Sequence, residues 1–283
     1  MSVVYVHGGV SGVSKRELPS LGYAIDAAAG AEGALGAVER AVRALEDDQA
    51  LNAGWGAVVD LSGEPSLDAG IVDGSVGRAG AVAGVTVRHP ISLARRVLER
   101  TPHVLLVGAG AMALGADLEL LPGSTEEQFG RWLQAAQSGE LHPAAYGSPE
   151  HVDTVGAVAL DDSGRLAAGS STGGVFGKMP GRVGDSPVFG AGFYASRAAA
   201  VVGTGVGELF LETLASLRCG ELIEQGMHPH LACEETVGLL GRRSGMAAGL
   251  LALDVRGRVG AVYRGGSWAV EGPEGPVRAT RID

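Results

Sequence analysis

Residues 151–161 read HVDTVGAVALD, and the fold turns on how they are taken. After Thr154 the residues Val155, Ala157 and Ala159 fall on one face of a strand and Gly156, Val158 and Leu160 on the other, until Asp161-Asp162-Ser163-Gly164 ends it. The stretch before it, SGELHPAAYGSPEHVD (138–153), has Gly, Pro and Ser at close intervals and no period, and reads as an exposed loop. A strand therefore begins with a hydroxyl that a loop delivers. An arbitrary threonine in that place is a solvated strand start, so its neighbours must decide whether it is more.

Working outward, strand and helix signals interleave. Towards the N-terminus, 2–7 reads as a buried strand closed by Gly8-Gly9, and 31–47 carries Ala34, Val38, Val42 and Leu45 at helical spacing. Residues 55–72 suggest a hairpin around Ser62-Gly63, 78–87 a further strand, 89–100 a helix with Pro90 in its first turn, and 103–107 a short apolar run. Ser124 to Glu127 offers a capping box for a helix to about Ser138. Beyond Thr154 the pattern predicts strands at 155–161 and 165–171, a Gly-rich loop over 173–192 and an apolar run at 198–203. Helices over 207–225 and about 229–242 and strands at 249–254 and 259–264 follow. Hairpins such as 155–171 and 249–264 imply antiparallel pairing, so the expected class is α+β, a layered sandwich.

Composition narrows the function. The chain has 283 residues, enough for one large domain or two small ones. With 32 acidic and 22 basic residues the net charge is −10, which disfavours nucleic acid and anionic membrane as partners and suits small neutral or zwitterionic ligands. Glycine supplies 47 residues, spread through apolar segments, which predicts many tight backbone approaches. Cys219 and Cys233 are too few for a disulfide scaffold and read as small buried hydrophobes. The start MSVVYVHGG lacks the basic head and apolar core of a signal peptide, and no apolar run reaches about 18 residues, so a cytoplasmic location is expected.

One motif is set aside. Gly108 and Gly110 follow an apolar run as in a dinucleotide-binding turn, but Ala113 holds the third glycine position and no acidic residue ends a second strand about 20 residues on. A close strand-to-helix turn accounts for those glycines. His228-Pro229-His230 has no Cys or carboxylate at metal-site spacing and reads as a helix start.

The chemistry gathers after Thr154. Thr172 precedes paired glycines, Arg182 and Asp185 stand in GRVGDSP, and Thr204 lies between glycines in VVGTGVGE. A guanidinium grips a carboxylate with a bidentate fork and a carboxylate accepts from an ammonium, so Arg182 and Asp185 together suit the head group of an α-amino acid. The Thr204 hydroxyl and the N–H of Gly205 can donate to a developing oxyanion. Lys178, near Arg182, either helps attract a carboxylate or is simply exposed. No His or Glu stands in an obvious position as base, and a threonine solves that problem with its own terminal amine. An α-amine with a pKa of about 7.7 to 8 is partly neutral at physiological pH. Cleavage between Asp153 and Thr154 would create one.

Taken together, HVDTVGAVALD, STGG, GRVGDSP and TGVGE resemble the plant-type asparaginases, N-terminal nucleophile hydrolases also called isoaspartyl peptidases. The first half agrees through VHGG, LNAGWGAVVD (51–60), LDAGIVDG (67–74), HPISLAR (89–95) and TPHVLLVG (101–108), so the likeness runs along nearly the whole chain. It implies a four-layer αββα sandwich, made as an inactive precursor and cut into residues 1–153 and 154–283, which stay together as one domain and associate as a homo-oligomer, usually a dimer of cleaved pairs.

Carried over by position, Thr154 is the nucleophile, Thr172 its hydrogen-bond partner, and Thr204 with Gly205 the oxyanion hole. Arg182 and Asp185 hold the substrate head group, with Gly207 and Asn52 beside it. The loop from Glu46 to Leu51 would wrap a structural sodium ion through backbone carbonyls, and no other cofactor is implied. The implied reaction is hydrolysis of L-asparagine or of isoaspartyl dipeptides through an acyl-enzyme. Val206, Ala247-Ala248-Gly249 and YRGGSW (263–268) depart from the family pattern, which bears on rate and substrate preference. A glycosylasparaginase-like amidase shares GRVGDSP, and an uncleaved amino-acid-binding scaffold is the rival outside enzymes.

Overall fold

In the computed structural model, which describes residues 2–10, 17–141 and 154–283, the first half of the chain supplies four strands and five helices among the described residues. They are β1 (Val3–His7), α1 (Glu17–Ala28), α2 (Gly33–Glu46), β2 (Leu67–Asp73), β3 (Arg78–Val85), α3 (Pro90–Arg100), β4 (Leu105–Val107), α4 (Gly108–Leu114) and α5 (Glu126–Ser138). The second half supplies β5 (Val155–Leu160), β6 (Leu166–Thr172), β7 (Phe193–Ala195), β8 (Ala199–Gly205), α6 (Gly207–Thr213), α7 (Ala215–Glu224) and α8 (Pro229–Arg243). It ends with β9 (Ala248–Asp254), β10 (Val259–Arg264), β11 (Val270–Gly272), β12 (Gly275–Pro276) and β13 (Thr280–Arg281).

Local chemistry sets the helix ends. Thr125 caps α5 by accepting from the Gln128 N–H at 3.2 Å, and Gly139, at φ +76°, stops it in the left-handed conformation. Helix α3 has Pro90 in its first turn and no cap from His89. The fully buried Glu46 supplies the missing acceptor instead, its Oε1 taking the Ile91 N–H at 3.1 Å.

The strands form two sheets, one in the order β12-β11-β1-β5-β6-β2-β3-β4 and the other β13-β10-β9-β8-β7. In the larger sheet, strands from the two halves of the chain interleave: β1 lies between β11 and β5, and β2 is paired to β6. One apolar cluster joins α1, α2 and α3 to Val4, Val6, Ile71, Val155, Ala157 and Ala159. A second joins Val158 and Ala168 of the larger sheet to Phe193, Ala200, Val202 and Leu251 of the smaller. A third joins Val201, Leu250 and Ala252 to Cys219, Val237 and Leu240 of α7 and α8. Strand β5 is thus covered on both faces, as its two apolar sets require. Glycine permits the close contacts between sheets: a Cβ on Gly70 would overlap the Phe193 ring. The fold is a mixed α and β one with two sheets, as expected for an α+β protein. Among the described residues no helix is long and apolar enough to cross a membrane.

Several expectations need correction. Of the hairpin expected over 55–72, the turn around Ser62-Gly63 is present, with Asp60 N–H donating to Glu64 O at 3.0 Å, but its arms do not pair as strands. Gly54–Gly56 makes a single 3-10 turn, Val59 and Pro65 share one isolated bridge, and β2 pairs instead with β3 and β6. The helix expected over 207–225 breaks at Leu214, whose φ of +49° separates α6 from α7. Helix α1 and the short strands β7, β11, β12 and β13 have no counterpart in the sequence reading, since strands of two or three residues are too short for a period to register. Gly108 does open a strand-to-helix turn, from β4 into α4 at φ +52°. Of the loop expected over 138–153, residues 142–153 lie outside the described residues, and with them Asp153.

Candidate active site

Thr154 immediately precedes β5 and is 4% exposed. Antiparallel pairing of β5 with β6 sets Val155 opposite Ser171, which brings Thr154 level with the end of β6 at Thr172. The Thr154 Oγ1 donates to the Thr172 Oγ1 at 3.3 Å, and the Thr172 Oγ1 also accepts the Gly174 N–H at 3.0 Å. The second hydroxyl is thereby fixed by backbone while the first is held against it.

A small cleft opens at these hydroxyls, lined by Thr154, Thr172, Gly174, Val175, Arg182, Asp185, Gly205 and Gly207. Six of the residues singled out from sequence therefore share one wall. Thr204 and Asn52 stand just behind it. The Thr204 hydroxyl, at the end of β8, is fully buried and has no hydrogen-bond partner among the described residues. Asn52 braces the wall: its Nδ2 donates to Gly174 O at 2.7 Å and its Oδ1 accepts the Val58 N–H at 2.9 Å.

Two glycines are there because nothing else fits. Gly205 has φ +145°, and a Cβ on it would stand 2.7 Å from Ala247 O. A Cβ on Gly207 would stand 2.8 Å from both Arg182 Nη2 and Asp185 Oδ1, closing the space between cation and acid.

The charges beside the hydroxyls are strongly conditioned by burial. Arg182 donates through Nε and Nη2 to Glu208 Oε1 at 3.1 and 3.0 Å, and through Nη2 to Oε2 at 3.0 Å. Asp185 is 4% exposed, and its Oδ2 has no partner among the described residues. Burial pushes its carboxyl up to about 7, with the Arg182 guanidinium pulling the other way. On the β1 side, His7 is fully buried, and burial pushes its imidazole down to about 3, so it is a neutral ring against Trp268, 5.5 Å between centroids.

Lys178 contradicts both sequence readings. It is neither exposed nor open to a ligand: it is completely buried, and its Nζ donates to Ser66 O at 2.6 Å. Sequence reasoning also missed Gly174, Val175 and Glu208. The last adjoins TGVG, and only its place in the first turn of α6, facing Arg182, gives it a part.

The loop after α2 bears on the expected cation. Carbonyl oxygens of Asp48, Gln49 and Leu51 converge beside Gly56, those of Asp48 and Gln49 at 2.8 and 2.6 Å from where a Cβ would sit. These are uncharged oxygens of the kind the expected cation would take, and those of Asp48 and Leu51 accept the Leu51 and Ala53 N–H groups at 3.2 and 2.9 Å. Among the described residues no three His, Cys, Asp or Glu side chains group as metal ligands.

Known proteins match throughout. The family model described as asparaginase fits residues 17–270. The chain is 41% identical to a plant-type L-asparaginase of Pyrobaculum calidifontis, over 99% of each chain. It is 40% identical to an isoaspartyl peptidase of Salmonella typhimurium, over 91% of this chain and 90% of that one. It is 42% identical to an isoaspartyl peptidase/L-asparaginase of Rattus norvegicus, over 79% and 72%. Matches of this extent make the chain an amidohydrolase. It belongs to the asparaginase family.

Proposed function

We propose that this protein hydrolyses β-aspartyl amides, L-asparagine to L-aspartate and ammonia and isoaspartyl dipeptides to aspartate and an amino acid, with Thr154 as nucleophile after cleavage of the Asp153–Thr154 bond. The observation that carries the reading is the pairing of the Thr154 and Thr172 hydroxyls in the same cleft as Arg182 and Asp185. Relatives named L-asparaginase and isoaspartyl peptidase support the two substrate types.

In this mechanism the freed α-amine of Thr154 takes the hydroxyl proton as Oγ1 attacks the side-chain carbonyl carbon. The oxyanion receives hydrogen bonds from the Thr204 hydroxyl, which has no other partner among the described residues, and from the Gly205 N–H. The amine returns the proton to the departing nitrogen, ammonia or an amino acid leaves, and water then hydrolyses the ester on Thr154 by the same steps. Arg182 binds the substrate α-carboxylate and Asp185 its α-ammonium, with Gly207 leaving room between them.

The fold reading goes one step further than two sheets with helices: the three apolar clusters support the four-layer αββα sandwich of the N-terminal nucleophile hydrolases. Residues 1–153 and 154–283 are then two chains of a single domain. The carbonyls of Asp48, Gln49 and Leu51 would hold the expected structural sodium ion, which would have no part in the chemistry. Leu105 and Val107 on edge strand β4, with Leu120, are exposed apolar residues that favour association of copies. The free thiols of Cys219 and Cys233, 3.8 Å apart, fit a reducing, cytoplasmic setting.

The test is intact mass under denaturing conditions together with ammonia release from L-asparagine. Two chains, the second beginning at Thr154, with activity in wild type and neither in Thr154→Ala, is the expected result. An alanine variant that still splits and hydrolyses asparagine would remove Thr154 from the mechanism.

A further inference from the structure

Behind the cleft lies a pair of opposite charges for which the proposed reaction has no task. Lys178 and Asp68 are both fully buried. Asp68 Oδ1 accepts the Gly84 N–H at 3.0 Å and its Oδ2 the Gly184 N–H at 3.4 Å, while Lys178 holds Ser66 O. Burial pushes the carboxyl up and the ammonium down, and the charge of each draws the other back. A buried charge without its partner is strongly unfavourable, so neither is tolerable alone.

Their placement ties them to substrate recognition. Asp68 stands opposite Thr172 across the β2–β6 ladder. Gly184, which it anchors, sits in the chain between Arg182 and Asp185. A Cβ on Gly174, a residue of the cleft wall, would stand 2.9 Å from Lys178 Nζ and 3.3 Å from Arg182 Nη1. Two cations therefore flank one glycine, and the Asp68 carboxylate is the buried countercharge that both feel.

We propose that Asp68 and Lys178 are positioning residues for recognition of the substrate head group. The carboxylate ties the segment carrying Arg182 and Asp185 to β2 and to the end of β3 through Gly184 and Gly84. The ammonium fixes the turn that leads into this segment and balances the carboxylate. Guanidinium and acid are thereby held at the spacing that an α-carboxylate and α-ammonium demand. The inference rests on the head-group assignment given above.

The test compares Asp68→Asn, Lys178→Met and the double variant with wild type by steady-state kinetics on L-asparagine, together with chain cleavage by mass. Each single variant is expected to raise KM on the order of tenfold or more while kcat changes by less than about threefold, since Thr154 and Thr172 stay in place. The double variant is expected to regain stability, because it leaves no uncompensated charge, but to keep the raised KM, because both ties are lost; a KM restored to the wild-type value overturns the proposal. A pair that merely stabilises the fold would lower the melting temperature and leave KM of the folded enzyme unchanged, which overturns the proposal. If the single variants do not fold, Asp68→Glu carries the test: it keeps the charge but moves the carboxylate by one methylene, and KM must rise with it or the proposal falls. Wild-type protein that hydrolyses neither asparagine nor an isoaspartyl dipeptide removes the functional reading itself. Wild-type hydrolysis with unchanged KM in the variants removes this inference alone.

Discussion

Asp185→Asn separates two ionisations that the proposed mechanism superimposes. Burial pushes the Asp185 carboxyl from 3.8 up to about 7, and it must be charged to receive an α-ammonium. At pH 7 about half the free enzyme is then competent on this count, and at pH 6 about one tenth. The Thr154 amine must be neutral to act as base, with an ordinary pKa of about 7.7 to 8. Both protons must leave the free enzyme, so log kcat/KM of wild type climbs with a slope of about two below pH 6 and levels off above about pH 8. Bound substrate brings its own ammonium to Asp185 and keeps it charged, so log kcat climbs with a slope of about one. In Asp185→Asn only the amine remains, and both slopes are about one, with KM raised. Ammonia release from L-asparagine over about pH 5 to 9 measures all four limbs. A slope of one in wild-type kcat/KM, or a slope of two retained by the variant, refutes the assignment.

The same carboxyl makes a stability prediction of definite sign. The folded protein holds this proton up to about pH 7 and the unfolded chain only to 3.8, so the folded state binds more protons between those values. That stabilisation is complete below the lower value and is lost as pH rises through about 7, a change of about 4 kcal/mol at 1.36 kcal/mol per tenfold in proton affinity. Asp185→Asn does not carry this cost, so at about pH 8 it melts above wild type, by no more than the same amount. A lower melting temperature would mean that the charged form is better solvated than its burial implies.

Arg182→Ala is expected to raise KM for asparagine by about 10²-fold and to leave chain cleavage complete, because the guanidinium touches substrate and not the reacting bond; unchanged KM, or a block in cleavage seen by mass, contradicts it. Gly70→Ala drives a methyl into the Phe193 ring between the sheets and is expected to cost about 1–3 kcal/mol in urea unfolding, with Phe193→Leu restoring much of it. Loss of stability without such rescue would mean the strain lies elsewhere. Exchange of sodium chloride for choline chloride at equal ionic strength is expected to lower the melting temperature, since a cation bound only by the folded loop stabilises it. Equal melting in both salts removes the carbonyl ring beside Gly56 as a cation site.

The strand after Thr154 was legible because both its faces are apolar over six residues, and 78–85 and 248–254 were legible for the same reason. Three-residue strands such as Phe193–Ala195 hold too little period to be read, and the break at Leu214 is a backbone event inside a continuous helical pattern. At the site, hydroxyls, Arg182 and Asp185 announced themselves by residue type and by glycine neighbours. Lys178 and Asp68 did not: a lysine in a Gly-rich loop looks solvated, and only three-dimensional burial opposite an acid reveals otherwise. Glu208 was likewise hidden, since its partner lies 26 residues away.

The interleaving of strands in the larger sheet has a consequence for the proposed cut at Thr154. Strand β1, before the proposed cut, is clamped between β11 and β5, which follow it, and β2 is likewise paired to β6. The two pieces are woven together, so the nick itself releases nothing. Unfolding after the nick does change character, for what was a unimolecular equilibrium becomes bimolecular. Protein cut as proposed would, once denatured, have to find its other piece again with a half-time that depends on concentration, whereas an uncut Thr154→Ala chain would refold at a rate independent of it. The proposed cut would thus make the persistence of the fold a matter of how slowly it opens.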